Sequence, residues 1–562
     1  MAIELSNLTF TEQDDIVPAS GEEEILNTGI ANTLAGNDII TGTPAGGRYS
    51  IFNSGTLNTG DGDDIIAGTG IEGTSSIFSS GTLNTGDGND LITGISQGSN
   101  RSSSSIFISY LGIIDTGDGN DTITGSGNGI FLYEGHGRID TGKGNDIITG
   151  TGLYTGISND DSVFNFNTGE GNDVITGISS NGEGIANLAP IATEDGDDII
   201  TGTGNSYGLS NVSTLDTGDG NDIITGTGST HGILTGGYAH DNNGSSTRGR
   251  GGNINTGDGN DIISGTGSIY GITNSDTINT GNGEDSIFSD GRLFNFGRMF
   301  LEDGNDIITG INIQEAGGAI INDAELNAGL IDTGDGNDII TGTSINDGHG
   351  ILNSYRSTIT TGDGNDIITG IGSSTDPYDY SGIYNGGTIN TGNGADSIIA
   401  EADFYDAGTE YGIYNSGIID TGSGPDSIIV SANNAGSNAN RLGYGLYNSG
   451  TINTGDGADS MIVEGGFSGM GHVFLGDAKD YLKGFGSGDF YGGNDEDTLE
   501  LTSGKYTIGI WETTVTFTQE TFTDETFTQG RLMITSEFEK LIAGNATYDF
   551  NCLNNGQTIS VA

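Results

Sequence analysis

Sixteen aspartates end one recurring string, TGDGNDIITG and its variants: Asp38, Asp64, Asp90, Asp121, Asp146, Asp173, Asp198, Asp222, Asp261, Asp285, Asp306, Asp338, Asp366, Asp396, Asp426 and Asp459. Asp480 and Asp497 close related strings further on. Each carboxylate follows glycines that permit a tight turn, so backbone carbonyls and one charged oxygen can face a common centre, which is the chemistry of a hard-cation site. Calcium takes about six to eight oxygens and tolerates irregular geometry, whereas magnesium demands a stricter octahedron. A single GDGND is a weak signal, but sixteen in phase are a strong one. The lone Cys552 excludes a disulfide framework and a cysteine-based zinc site, and the five histidines show no metal-ligand spacing.

Composition points the same way. The chain of 562 residues carries 77 acids against 15 bases, a formal charge of −62, with 104 glycines but only 5 prolines. Such a charge repels a phosphate backbone and excludes nucleic acid as a partner. Few apolar residues and much glycine would suit a disordered chain, yet Ile, Asp and Gly recur in register, which marks a repeat protein that needs a counter-ion.

The spacing of the aspartates runs from 21 to 39 residues with a mean of about 28, the range of solenoid coils. Well-formed coils read GDGNDIITGTG, then a G-I-x-N segment such as Gly382-Ile383-Tyr384-Asn385, then Thr388-Ile389-Asn390-Thr391, which predicts three short strands per coil. A period of two turns Ile40, Ile66, Ile92, Ile123 and Ile148 inward from the first strand, Ile51, Ile77 and Ile106 from the second, and Leu57, Leu83 and Ile139 from the third. Thr59, Thr85 and Thr116, which open their turns, form a hydroxyl ladder, and Asn53, Asn211, Asn353 and Asn385 an amide ladder at another corner. The expected fold is all-β: a parallel β-solenoid or β-roll of about 16 coils of roughly 28 residues, plus a small C-terminal β-rich unit.

From Thr59 to Ala67 the sequence resembles the haemolysin-type, or repeats-in-toxin (RTX), calcium-binding family, whose unit is GGxGxDxUx with U a large apolar residue. Gly60, Gly62, Asp64 and Ile66 fall on the unit's second Gly, next Gly, Asp and U, while Thr59 replaces its first Gly, as Thr does in nearly every turn. The family runs its units in tandem; here one turn serves a whole coil, which implies one column of ions, up to about fifteen between adjacent turns. About 30 positive charges would then offset roughly half of the −62. The resemblance makes the eighteen aspartates named above the metal ligands. Lys143, Ala395, Pro425 and Ala458 mark weaker turns.

Three regions are expected: residues 1–33 as an N-terminal cap, 34–475 as calcium-binding repeats, and 476–562 as degenerate RTX half-coils with a secretion-signal-like tail. In the last region the composition shifts, with four of the five lysines and the only Trp. Its stretches Thr498–Leu501 and Phe538–Gly544 are similar to the ends of secreted, particularly cyanobacterial, family members, which implies type I secretion. No basic residue precedes Arg48 and no apolar run reaches membrane-spanning length, so the expected location is extracellular or cell-surface, reached without an N-terminal signal peptide or transmembrane segment.

The expected function is that of a secreted calcium-binding structural or surface protein (matrix, sheath, adhesin or motility-associated), not an enzyme, with cell-surface polysaccharide or self-association as partners. The alternative is a polysaccharide lyase, hydrolase or epimerase on a parallel β-helix. Repeated Thr-Gly-Thr pairs such as Thr149/Thr151 and Thr201/Thr203 leave ice- or crystal-surface binding as a remoter one, against which Ala67, Ile95 and Ile178 interrupt the hydroxyl array. The 39-residue interval from Asp222 to Asp261 carries Tyr238, His240, Arg248 and Arg250 in a Gly/Ser-rich loop.

Overall fold

A computed structural model describes all residues except 1, 19–22, 45–47, 72, 98–102, 136, 160–164, 237, 241–245, 249–250, 314–316, 324–328, 375–379, 405–410, 435–443 and 520–530. The described residues form strands and two short 3-10 turns, with no α-helix among them. No helix there is long and apolar enough to cross a membrane. Two compact units divide the chain, Met1–Asp290 and Gly291–Ala562.

In the first unit a coil consists of the strands Ile65–Gly70, Ser75–Ser79 and Thr82–Asn84. Each lies parallel to and in register with its counterpart in the next coil, so that Ile66 meets Ile92, Ile77 meets Ile106 and Leu83 meets Ile114. Because side chains alternate across a strand, exact stacking places like residues on like residues. Ile66, Ile92, Ile77, Ile106, Leu57 and Leu83 are all fully or almost fully buried, which confirms three apolar ladders around one core. Each such side chain contributes roughly 1.5–3 kcal/mol through burial, and only with a neighbour above and below. The glycine of the first strand makes room for the second: a Cβ on Gly94 would lie 2.8 Å from Ile106 Cγ1.

The second unit repeats the design. Ile367–Ser374, Ser381–Asn385 and Thr388–Asn390 stack on Ser397–Phe404, Tyr411–Asn415 and Ile418–Asp420, with Ile368, Ile383 and Ile389 inside. The fold is thus an open parallel β-solenoid. Buried Asn353, Asn385 and Asn415 pass an amide hydrogen bond of 2.9 Å from coil to coil, each also donating to a carbonyl of the following coil's third strand. That is the expected amide ladder.

Parallel pairing starts with the first strand and continues to Lys540–Ala543. Ala2–Glu4 pairs with Glu24–Asn27, and Ile16–Val17 with Ile39–Gly42, so the first 33 residues already contribute strands to the coil pattern. Near the other end Tyr481–Lys483, Thr498–Leu501 and Lys540–Ala543 remain in parallel register. Antiparallel pairing then joins Gly504–Trp511 to Thr514–Gln519 and to Thr558–Val561, forming the β-rich C-terminal part. In the long insertion Tyr238–His240 pairs antiparallel with Ser246–Arg248; Arg250 lies outside the described residues.

Candidate metal centre

All eighteen aspartates singled out by the sequence occupy one position, the inner side of the turn just before the first strand, and none is more than 2% exposed. Within each unit, Oδ1 of a ladder aspartate accepts the backbone N–H of the equivalent residue one coil earlier. The first unit runs from Asp15 N to Asp38 Oδ1 (2.7 Å) through Asp64, Asp90, Asp121 and onward to Asp285, at 2.7–2.8 Å throughout. The second runs from Asp306 N to Asp338 Oδ1 and onward to Asp497, ending where Asp497 N–H donates to Glu539 Oε2 at 2.9 Å. One carboxylate oxygen per coil therefore satisfies a turn N–H that would otherwise be buried without a partner.

The second oxygen is the one with chemistry left. Thr217, Thr333 and Thr361 donate to Oδ2 of Asp222, Asp338 and Asp366, the last two at 2.5 and 2.6 Å. At several other turns the threonine five residues earlier instead bonds the next coil's threonine carbonyl, as Thr33 does to Thr59 O at 2.8 Å and Thr141 to Thr168 O at 3.0 Å. Oδ2 of Asp38, Asp64, Asp90, Asp121, Asp146, Asp173, Asp198, Asp261, Asp396, Asp426, Asp459, Asp480 and Asp497 is buried with no hydrogen-bond donor. An anionic oxygen in that position demands a proton or a cation.

Electrostatics express the same demand. Burial pushes the carboxyl of Asp64 up to about 6, of Asp121 and Asp173 to about 7 and of Asp198 to about 8, with the aspartates of adjacent coils pushing further. The nearby threonine hydroxyl and the backbone N–H pull the other way without cancelling the shift.

The turns stack as closely as backbone permits. Gly86 (φ +88°) could not carry a Cβ, which would lie 2.1 Å from the Gly60 carbonyl oxygen, and a Cβ on Gly88 would lie 1.9 Å from that of Gly62. Glycine at these places lets each turn pack directly against the carbonyl groups of the turn before it.

A second ladder, on the outer side of the turn, has no counterpart in the sequence reading. Asn89 N–H donates to Asp63 Oδ1, Asn120 to Asn89, Asn145 to Asn120 and Asn172 to Asn145, at 2.7–3.0 Å. Its bonds run from each coil to the one before it, opposite to the inner ladder. The signal was the Asn or Asp that stands before twelve of the eighteen ladder aspartates. It also bears on the weak turns at Ala395 and Pro425. Ala395 donates its N–H to Asn365 Oδ1 at 2.9 Å but has no acceptor to offer onward, and the next residue in the row, Pro425, has no N–H in need of one. Lys143 brings its own partner, with Nζ 2.6 Å from Glu170 Oε2 in the adjacent coil.

Among the described residues no three acidic, histidine or cysteine side chains converge into a ready-made cluster. The donor set is instead a column: one buried carboxylate oxygen per coil beside close-stacked turn carbonyls. That is an all-oxygen set with a single anionic ligand per turn, and it fits calcium better than a metal that wants nitrogen, sulfur or a strict octahedron.

The chain matches no family model and no curated protein. Among solved structures, a hyperactive, Ca2+-dependent, beta-helical antifreeze protein from an Antarctic bacterium is similar over 85% of this chain and 85% of that one, at 16% identity and a TM-score of 0.24.

Proposed function

We propose that the chain is an exported, calcium-binding β-solenoid with a structural or surface role, as a matrix, sheath, adhesin or motility-associated protein, that folds when it meets extracellular calcium. The observation that carries this reading is the column of buried aspartate oxygens without donors in a chain of net charge −62. In a turn such as Gly60–Asp64, Oδ2 of Asp64 would supply the anionic ligand and the turn carbonyls the neutral ones. Calcium, when bound, supplies the positive charge that lets stacked carboxylates stay ionised inside the fold. The turn N–H groups, joined at three turns by Thr217, Thr333 and Thr361, hold the carboxylates in place, and the apolar ladders close the coil behind them.

Export follows from the same balance. Where free calcium lies far below the roughly 10⁻⁴–10⁻³ M affinities of extracellular modules, self-repulsion keeps the chain open enough to thread through a secretion channel. The lysine- and aromatic-bearing tail supports a C-terminal, type I route. This reading assigns no catalytic role, since the regular acids are committed to the ladder. Circular dichroism of chelator-stripped protein tests it: a cooperative coil-to-β transition on adding calcium at sub-millimolar to millimolar concentration, not reproduced by magnesium, is expected. A full β signal without metal, unchanged in melting temperature by calcium, would sink it.

One observation favours ice- or crystal-surface binding as a second reading. On the outward face of the first strands, Thr93, Thr124, Thr149, Thr176, Thr201, Thr225 and Ser264 stack in register as an unbroken hydroxyl row. Ala67, paired with Thr93, ends this row on one side, and the adjoining row is interrupted at Ile95 and Ile178. Absence of thermal hysteresis in calcium-loaded protein would remove this reading.

A further inference from the structure

In the second unit the outward position of the second strand carries a tyrosine in three consecutive coils. Tyr384, Tyr414 and Tyr447 stack nearly parallel, with centroids 4.8 and 4.6 Å apart and planes 2° and 12° apart. Ring faces in such a column point along the direction of coil stacking. In the next coil the residue paired with Tyr447 is Ser468, and Gly486 bridges to Phe467, which brings Ser487 to the position after Ser468. The column thus reads Tyr, Tyr, Tyr, Ser, Ser. Two ring positions are left unfilled over about 10 Å, two strand spacings.

That gap is real space. A cavity of about 870 Å³ opens there, walled by Tyr447, Ser468, Ser487, Asp489, Arg531 and Leu532 among others. Among the described residues no ring stacks on the Tyr447 face that looks into it. Asp489, whose carboxylate also lies 3.4 Å from His472 Nδ1, and Arg531 place an acceptor and a planar donor at the rim, with serine hydroxyls between them. The slot therefore combines one aromatic platform with donors and acceptors around its edge.

We infer that this slot binds a glycosyl residue of a neutral polysaccharide, stacked on Tyr447. A pyranose ring has a face of polarised C–H bonds that suits the negative face of an aromatic ring, and an edge of hydroxyls that both donate and accept. The hydroxyl edge of a sugar matches the acceptor of Asp489 and the donors of Arg531 and the serines, and a polyanion would meet the repulsion of a chain at −62. The site names a partner for the surface role proposed above, but it rests on solenoid geometry and not on the ion.

Isothermal titration of the full chain in calcium with cellohexaose, mannohexaose and maltohexaose, and polygalacturonate as the anionic control, tests the inference. Binding of at least one neutral hexasaccharide is expected, at least tenfold weaker in Tyr447→Ala and equally weakened in Ser468→Tyr, whose added ring continues the column and fills the slot. Tyr384→Ala, two coils away, should leave it unchanged. Circular dichroism of every variant, with and without calcium, separates loss of the slot from loss of the fold and so from failure of the calcium reading. The inference is overturned if the folded chain binds none of the three neutral sugars, if only polygalacturonate binds, or if Ser468→Tyr binds as well as the parent.

Discussion

Each ladder aspartate has two jobs that a single substitution can separate. Oδ1 of Asp198 accepts the N–H of Asp173 at 2.7 Å, and an asparagine can do the same, whereas the charge on Oδ2 is needed only by a cation. Asp198→Asn should therefore raise the melting temperature by a few degrees in chelator, where a buried charge is removed, and lower it in calcium, where a ligand is lost. Thermal scans in the two buffers should move in opposite directions; a shift of the same sign in both would show that Oδ2 serves no ion. Thr217→Val tests the complementary case. Thr217 donates to Asp222 Oδ2, and its loss should cost about 1–3 kcal/mol in chelator by leaving that oxygen buried without a donor, as read by denaturant unfolding.

The ladder as an element responds to pH in a direction opposite to that of ordinary surface carboxylates. Its folded-state pKa values are raised from 3.8 to about 6 in Asp64, 7 in Asp121 and 8 in Asp198, so the folded chain holds more protons than the unfolded one across this range. Stability in chelator is then fully present below about pH 4 and is lost as pH rises through 6 to 8. Urea unfolding at pH 5 and pH 8 should show the lower midpoint at pH 8, with calcium reversing the order; equal midpoints in chelator would contradict the raised values. The apolar ladders predict a different signature: Ile148→Ala should cost about 2–5 kcal/mol whatever the pH or metal. How far the sequence revealed these elements depends on periodicity. Ile66 and Leu83 announce their strands because a period of two and a constant offset from the nearest ladder aspartate, after Asp64 and before Asp90, leave one inward assignment. The amide ladder through Asn385 was legible for the same reason. The outer row through Asn89 was not, because GDGND reads equally well as a cation loop, and hydrogen bonds between coils follow from stacking distance and not from residue order. The Tyr447 slot was hidden more deeply, since Ser468 means nothing until the pairing shows that it stands where a ring would have continued.

For the whole chain, 62 uncompensated negative charges set the compactness. Dynamic light scattering should record a hydrodynamic radius that falls sharply when calcium is added to chelator-stripped protein. Sodium chloride at the same ionic strength, which screens but does not bind, should reproduce only part of that fall; a full effect of salt alone would reduce calcium to a screening ion. The two turn ladders have a further consequence for how such a molecule changes over generations. A turn of the GDGND type is bonded to the coil ahead through Asp and to the coil behind through Asn, so coils with that turn offer the same plug and socket as one another. Excising residues 122–146 would join Asp121 to Ile147 and bring the N–H of Asp121 to Asp173 with no bond type lost. The length of the protein is then an adjustable trait, open to unequal recombination one coil at a time, while the segments between ladder positions, already 17 to 39 residues apart, drift without disturbing the stack.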